Sequence, residues 1–306
     1  MEKLPKVVVI MSTYNGEKYL KEQIDSILAQ EKVDVYLHIF DDCSKDKTQE
    51  IAREYEKKDK RVILHVNEKN KNFTYNFIDG LFTFKDEQGY DYYAFSDQDD
   101  FWVEDKLISA INKIEEVGKC TLYSSNLKLV DAELKPLGAN MVDMKYVNKK
   151  YDVACKNVVT GCTAVFDNDF KNLVTEKYPE NIYLHDHWIA LIANYVDGAN
   201  FVYDICPDHI LYRQHGNNQI GSDQSNKFIL FLKYVKAKKL ETVKTTRNLV
   251  ERFVELFGDK ISEEDKPLFE RLTKTNKCKN RFQLFFKMKK NNYLSIFRIK
   301  MLLNKY

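Results

Sequence analysis

Three runs of polar and acidic residues interrupt apolar stretches in the first hundred residues: Ser12-Thr13-Tyr14-Asn15, Asp41-Asp42 and Ser96-Asp97-Gln98-Asp99-Asp100. The third run makes the strongest chemical demand. Three carboxylates within four residues repel one another by about 4 kcal/mol per pair, at roughly 4 Å and an effective dielectric of roughly 20. A divalent cation removes that cost. Hard oxygen donors select Mg2+ or Mn2+, ions that bridge to phosphate oxygens. The competing reading is a solvated acidic loop. Against it, the run follows YDYYAF without a turn residue and precedes Phe101-Trp102, so aromatic segments pin it on both sides. The sequence contains neither GxGxxG nor GxxxxGK[ST], which leaves dinucleotide and P-loop binding unsupported.

The elements around these runs alternate in type. Lys6–Ser12 is a short continuous apolar run, as expected of a strand buried on both faces. Glu17–Gln30 carries Leu20, Ile24, Ile27 and Leu28 at helical spacing, and residues 33–40 alternate as a half-exposed strand would. Ser44 predicts the N-cap of a helix through Lys57, and Arg61–Val66 a third strand. Phe73, Phe77 and Leu81 stripe the next helix, Tyr90–Ser96 forms a fourth strand, and Leu107, Ile111 and Ile114 mark a helix after it. This alternation predicts an α/β fold with a mostly parallel central sheet and helices on both faces. In such sheets ligands gather at the carboxyl ends of the strands, where all three polar runs fall. Past residue 118 the pattern loosens. Strand-like pieces at Thr121–Val130, Val158–Phe166, Asn200–Tyr203 and Ile210–Arg213 surround one helix beginning near Leu184.

Composition bounds the class. The 306 residues are 44% apolar and 31% charged, which suits a soluble globular protein with one large domain and an appendage. Six cysteines at 43, 120, 155, 162, 206 and 278 form no CxxC pair, which argues against zinc ribbons and thioredoxin-like motifs and suits a reducing cytosol. The N-terminal apolar run is too short for a signal peptide, and no run reaches the roughly 18 apolar residues of a spanning helix. A cytoplasmic protein, soluble or peripheral on the inner face of the membrane, is expected.

The net charge of +2 hides a division. Residues 1–221 hold 27 basic and 37 acidic side chains, whereas 222–306 hold 21 and 9. A split this sharp predicts separate roles for the two segments. Residues 277–306 carry nine Lys or Arg and no acid, interleaved with Phe282, Phe285, Phe286, Tyr293 and Phe297. A basic, aromatic helix suits an anionic membrane surface, or packing on the catalytic domain or a second subunit. No nucleic-acid motif accompanies the charge, so no nucleic-acid partner is expected. The oligomeric state is left open.

VVVIMSTYNGEKYLKEQIDSILAQ, FDDCSKDKT, FSDQDDFW, NVVTGCTAVF, LHDHW and LYRQHGNNQIG follow in order through residues 6–221. Together they resemble glycosyltransferase family 2 with the GT-A fold, in its bacterial rhamnosyltransferase-like branch. The resemblance implies a Rossmann-like GT-A catalytic domain at 1–221, and the charge and pattern of the remaining residues predict a basic helical C-terminal extension at 222–306. It implies inverting, Mn2+- or Mg2+-dependent transfer of a sugar, with L-rhamnose as the candidate, from a dTDP- or UDP-sugar. The acceptor it implies is a hydroxyl of a cell-surface polysaccharide or lipid-linked glycan.

The same resemblance assigns residues. Ser12 and Tyr14 flank the nucleobase, and Asp42 accepts from its imide N–H. Asp97 and Asp99 are the metal-binding DxD pair, with Asp99 a direct ligand. Asp186 is the catalytic base; without a covalent partner it implies inversion. His215 completes the metal site or contacts the diphosphate, with Arg213 nearby in the donor site. Trp102, Gly161 and Trp188 are candidate acceptor or sugar contacts. For Trp102 a core position is the alternative, and for Gly161 a strand bulge. His185 and His187, two apart, lie on opposite helix faces, which disfavours joint zinc ligation and leaves them as positioning or surface residues. His38 falls on the polar side of its strand.

The chain departs from the family pattern at Cys43 and Asn72, where a glycine is frequent; asparagine tolerates a left-handed backbone. Nucleotidyl transfer on a related fold would bring a glycine- and lysine-rich N-terminal loop, which Ser12–Gly16 lacks. A non-catalytic glycan-binding or scaffold descendant would have lost carboxylates, yet Asp42, Asp97, Asp99 and Asp186 all remain.

Overall fold

The computed structural model describes residues 3–140, 153–206, 208–215 and 246–274. Its first half alternates β1 (Lys6–Thr13), α1 (Leu20–Leu28), β2 (Asp34–Asp41), α2 (Thr48–Lys58), β3 (Val62–Val66), α3 (Asn72–Phe82) and β4 (Tyr92–Ser96). A short β5 (Phe101–Trp102) and α4 (Lys106–Val117) follow, then β6 (Thr121–Ser125), β7 (Lys128–Val130) and β8 (Pro136–Asn140). The remaining elements are β9 (Val165–Asp167), α5 (Asn168–Val174), α6 (His185–Tyr195), β10 (Asn200–Asp204), β11 (Ile210–Arg213), α7 (Thr246–Phe257) and α8 (Lys266–Thr273).

Seven strands form the central sheet in the order β10-β6-β9-β4-β1-β2-β3, and four form a second sheet, β5-β11-β7-β8. β1 pairs in parallel with β2 on one side and β4 on the other, which explains its continuous apolar run. β9 runs antiparallel to both β4 and β6, so the large sheet is mixed but mostly parallel, as the sequence predicts. The period of two in β1 divides the core. Val7, Val9 and Met11 face α1 and α4 residues such as Ile24 and Ile111, while Val8 and Ile10 face Phe77 and Leu81 of α3.

Several local expectations change in three dimensions. β2 is buried rather than half-exposed from Leu37 to Asp41, because β1 and β3 flank it and helices cover both faces. His38 is therefore an interior residue: its Nδ1 lies 3.0 Å from Nε2 of His65, and its ring meets the edge of Phe84. Burial, assisted by His65, lowers its pKa to about 4. The stretch 121–130 divides at Asn126-Leu127 between the two sheets. Residues 158–164 are loop and a 3-10 turn at Gly161–Thr163, and only Val165 onward is strand. Ser44 does not cap α2, which starts at Thr48; its hydroxyl donates to Asp41 and accepts from the Asn15 N–H.

α6 is buried on every side from His185 through Ala193, since the sheet covers one face and α7 another. Phe253 of α7 lies 6.1 Å from Trp188, 6.4 Å from Tyr195 and 5.2 Å from Phe269 of α8, ring centre to ring centre. Residues 246–273 thus complete the same hydrophobic core that α6 and β6 begin. The basic segment 277–306 lies outside the described residues. Among the described residues, no helix is long and apolar enough to cross a membrane.

Truncating Phe253 to alanine removes this contact and leaves a cavity, so Phe253→Ala is expected to destabilise the protein by about 3–5 kcal/mol in urea unfolding. A loss below roughly 1 kcal/mol would mean that α7 merely rests on the surface.

Candidate active site

The acidic run leaves the carboxyl end of β4 next to that of β1, and side chains tie the two loops together. Gln98 accepts from the Tyr14 N–H (2.8 Å) and donates to the Tyr14 carbonyl (3.2 Å), imitating a strand pair. Gly16 leaves room for this bridge, because a Cβ there would stand 2.2 Å from Oε1 of Gln98. Ser96 accepts from Nε2 of Gln23 and donates to the Asp97 carbonyl, which anchors the start of the loop to α1.

The small sheet holds the loop from the other side. β5 pairs antiparallel with β11, which brings Arg213 beneath the acids. Its backbone N–H donates to Oδ1 of Asp100 (3.3 Å) and its Nε to the Asp99 carbonyl (2.9 Å). The guanidinium also bonds the Ala132 carbonyl and the Glu22 carboxylate and lies 4.4 Å from the Tyr19 ring centre. Arg213 is only 2% exposed, so its position corrects the donor-contact expectation: it is a bracket for the loop. His215 follows it, with Nε2 2.9 Å from Oδ2 of Asp99.

The structure brings the DxD pair and His215 together, and it adds Asp100 and Cys162. Single ligand atoms of Asp97, Asp100 and Cys162 lie within 4.8 Å of one another. Burial, with the charges of Asp99 and Asp186 adding, pushes Asp97 up to about 7. Burial, with the charges of Asp99 and Asp97 adding, holds Asp100 well above the usual carboxylate range. Asp99 is also raised by burial, although His215 and Arg213 oppose the shift. Among the described residues, the buried Oδ2 of Asp100 has no hydrogen-bond partner. Crowded, partly protonated oxygens and an orphaned buried acceptor fit a hard divalent cation.

Behind the acids, Nζ of Lys106 sits 3.3 Å from the Trp102 ring centre, and burial lowers its pKa to about 7 against the pull of Cys162 and Asp100. Trp102 is 1% exposed, so it serves the core and this cation rather than a sugar.

The base candidate arrives on α6. Asp186 is buried, and one of its oxygens accepts from the His187 N–H (2.7 Å). Burial raises its pKa to about 6, against the opposing influence of the His187 N–H and of the nearby Asn157 side chain and Gly161 backbone. Its charge is felt at Asp97, so carboxylates from β4 and α6 share one electrostatic site. Gly161 abuts this helix start: a Cβ there would meet Nε2 of His185 at 2.7 Å. It belongs to a 3-10 turn rather than a bulged strand.

Both histidines beside the base are interior, which corrects the surface alternative. His185 stacks on Phe77 (4.1 Å), and His187 bonds the Val153 carbonyl (2.8 Å) and the Tyr183 hydroxyl (3.2 Å). Trp188 is fully buried against Phe253 and Phe257, so the expected acceptor contact is instead a packing residue.

On the nucleobase side, Asp42 is buried, and its Oδ1 accepts from Asn67 (3.0 Å) and the Lys71 N–H (2.8 Å). Ser12 accepts from Asn76 (2.7 Å), and Tyr14 is exposed. Its neighbour Asp41 is spent on structure, taking bonds from Thr13, Ser44 and Gln49. Cys43 (φ +65°) and Asn72 (φ +68°) both adopt the left-handed backbone, the physical reason a glycine is frequent at each place. Sequence reasoning missed Gln98, Asn157, Lys106 and Cys162 as site residues. Gln98 stands inside the acidic run, and Asn157 and Cys162 inside the NVVTGCTAVF motif, whereas nothing in the pattern marks Lys106.

The model of the family described as Glycosyl transferase family 2 matches residues 8–173. The dTDP-rhamnosyl transferase RfbG of Shigella flexneri is 34% identical over 230 residues, which cover 71% of this chain and 75% of that protein. A putative teichuronic acid biosynthesis glycosyltransferase, TuaG of Bacillus subtilis (strain 168), is 32% identical over 165 residues, 53% of this chain and 61% of the relative. Among solved structures, S. aureus TarS 1-349 in complex with UDP-GlcNAc superimposes with a TM-score of 0.57 at 16% identity, covering 98% of this chain and 93% of that one. The mannosyltransferase PcManGT from Pyrobaculum calidifontis, in complex with GDP-Man and Mn2+, gives 0.52 at 14% identity, covering 99% and 81%. These likenesses establish the fold as GT-A.

Because the folded pKa of Asp186 (about 6) exceeds the ordinary 3.8, its protonated form favours the folded state, and that contribution is lost as pH rises through about 6. Asp186→Asn is therefore expected to stabilise the protein at pH 8, by up to about 3 kcal/mol, and to have little effect near pH 4. Urea unfolding at the two pH values checks this; equal effects at both would refute the buried, ionising carboxylate.

Proposed function

This chain belongs to glycosyl transferase family 2, and we propose that it is an inverting transferase that moves a sugar, with L-rhamnose as the candidate, from a dTDP- or UDP-sugar. The observation that carries the reading is the pairing of two carboxylate sets from different elements. The acids after β4 gather around an orphaned oxygen, and Asp186 on α6 lies close enough to raise Asp97. The first set suits a metal and a diphosphate, the second a proton.

Asp97, Asp99 and Asp100, with His215, would hold Mn2+ or Mg2+, whose chemistry there is Lewis-acid stabilisation of the departing diphosphate. Ser12, Tyr14 and Asp42 bind the base. Asp186 takes the proton of the attacking hydroxyl as it bonds to the anomeric carbon. Its pKa near 6 leaves it ionised at neutral pH yet basic enough to accept that proton. No second carboxylate is assigned as a covalent nucleophile, so the sugar inverts.

Rhamnose and dTDP are favoured by the Shigella relative, and a cell-surface polysaccharide or lipid-linked glycan acceptor by the teichuronic acid relative. The catalytic segment is residues 1–221, served by the core helices of the 222–306 extension. The basic residues 277–306 suit attachment to the cytoplasmic face of the membrane.

Calorimetric titration with nucleotide diphosphates, with and without Mn2+, is the direct test. Binding of dTDP or UDP that requires metal and is lost in Asp99→Ala is expected, with turnover of the cognate donor reduced at least roughly 10²-fold in Asp186→Asn. Folded protein that binds no nucleotide, or an Asp186→Asn variant with normal turnover, would refute the assignment.

A further inference from the structure

Gln98 lies inside the acidic run, yet its side chain is spent on the loop after β1. A backbone N–H can only donate and a carbonyl only accept, so the two bonds to Tyr14 fix which way the amide points. Oε1 takes the Tyr14 N–H at 2.8 Å, and Nε2 gives to the Tyr14 carbonyl at 3.2 Å. Gly16 lies against the same amide: a Cβ there would stand 2.2 Å from Oε1, 2.4 Å from Cδ and 3.0 Å from Nε2. The clasp thus needs two residues, a glutamine on one loop and a glycine on the other.

The tie extends beyond Tyr14. The Asn15 N–H donates to the Ser44 hydroxyl at 2.9 Å, and Oδ1 of Asn15 accepts from the Lys45 N–H at 2.8 Å. The Gly16 N–H donates to the Thr48 hydroxyl at 2.8 Å, and the Asp42 N–H to the Thr13 carbonyl at 2.8 Å. The chain ends that carry Ser12, Tyr14 and Asp42 therefore form one hydrogen-bonded unit. Gln98 joins that unit to the loop that carries Asp97, Asp99 and Asp100. The Tyr14 backbone is held, while its ring stays exposed.

In the proposed function the two sides answer to different ligands, the acids to a cation and the Ser12, Tyr14 and Asp42 side to a base. Mutual repulsion of three carboxylates within four residues favours a loop that spreads, and a bound cation favours a loop that closes. A spreading loop draws Gln98 off Tyr14; a closed one seats it. We propose that Gln98 is a positioning residue that transmits cation binding at the acidic loop to the nucleobase side, through its amide clasp on the Tyr14 backbone. Linkage makes the effect reciprocal, so a base held at Tyr14 favours the cation equally. The coupling rests on the metal and base readings; the clasp does not.

The test is amide exchange at Tyr14 in the full chain, with and without Mn2+. Calorimetric titrations of Mn2+, thymidine and uridine accompany it, since nucleosides carry no phosphate to reach the metal. In wild type, Mn2+ should slow exchange of the Tyr14 N–H at least about tenfold and tighten nucleoside binding at least about fivefold. Q98M keeps the side chain's length without its donor and acceptor. G16A keeps Gln98 and serves should Q98M fail to fold: Gly16 has no positive φ, so what an alanine meets first is the Gln98 amide. In both variants Mn2+ should still bind, while protection at Tyr14 and the gain in nucleoside affinity fall below about twofold.

A packing role alone would weaken nucleoside binding equally with and without Mn2+, and that outcome overturns the proposal. Full protection in either variant overturns it too, as does Mn2+ that binds wild type and leaves Tyr14 exchange unchanged. Failure of Mn2+ to bind overturns the metal reading and the coupling with it. Failure of both nucleosides to bind overturns the base reading, and exchange at Tyr14 then decides the coupling.

Discussion

Carboxylates crowded into a space with little water raise one another's energy, and much of the structure around this site opposes that tendency. Asp97, Asp99 and Asp100 leave β4 together, and Asp186 approaches from α6. Without restraint the loop would swing into solvent and separate the charges. Gln98 fastens it to the β1 loop, Ser96 to α1, and Arg213 grips its backbone from the second sheet. The four-stranded sheet has its functional meaning here, since β5 and β11 place Arg213 and His215 against the acids. The restraints hold the carboxylates in place, as the proposed cation site and base require.

The same principle separates residues that act from residues that hold. Of the adjacent Asp41 and Asp42, the first is saturated by Thr13, Ser44 and Gln49, and the second, among the described residues, takes its side-chain bonds through Oδ1 alone. Of Arg213 and His215, the first is enclosed by carbonyls, Glu22 and Tyr19, and the second reaches Asp99. Sequence neighbours thus have opposite duties, and the hydrogen bonds decide which is which.

Much of the first hundred residues was legible beforehand, because buried parallel strands read as apolar runs and their helices as striped segments. The acidic run after β4 was legible because carboxylates there conflict with their aromatic flanks. What pattern could not reach was burial set by distant elements. His38 looked solvent-facing until α3 and Phe84 covered it, and Trp188 looked like a ligand contact until α7 packed on it. The charge boundary near 221 does not end the hydrophobic core, which continues past it into α7 and α8.

That continuity has a consequence for how the enzyme comes into being. Strands β1 to β4 can pair as soon as they emerge from the ribosome, but the helix bearing Asp186 keeps an apolar flank uncovered until residues 246–273 are also free. A chain that stops short of residues 246–273 therefore leaves the helix bearing Asp186 open on that flank, and the site of the proposed reaction would be closed only by the last elements of the core.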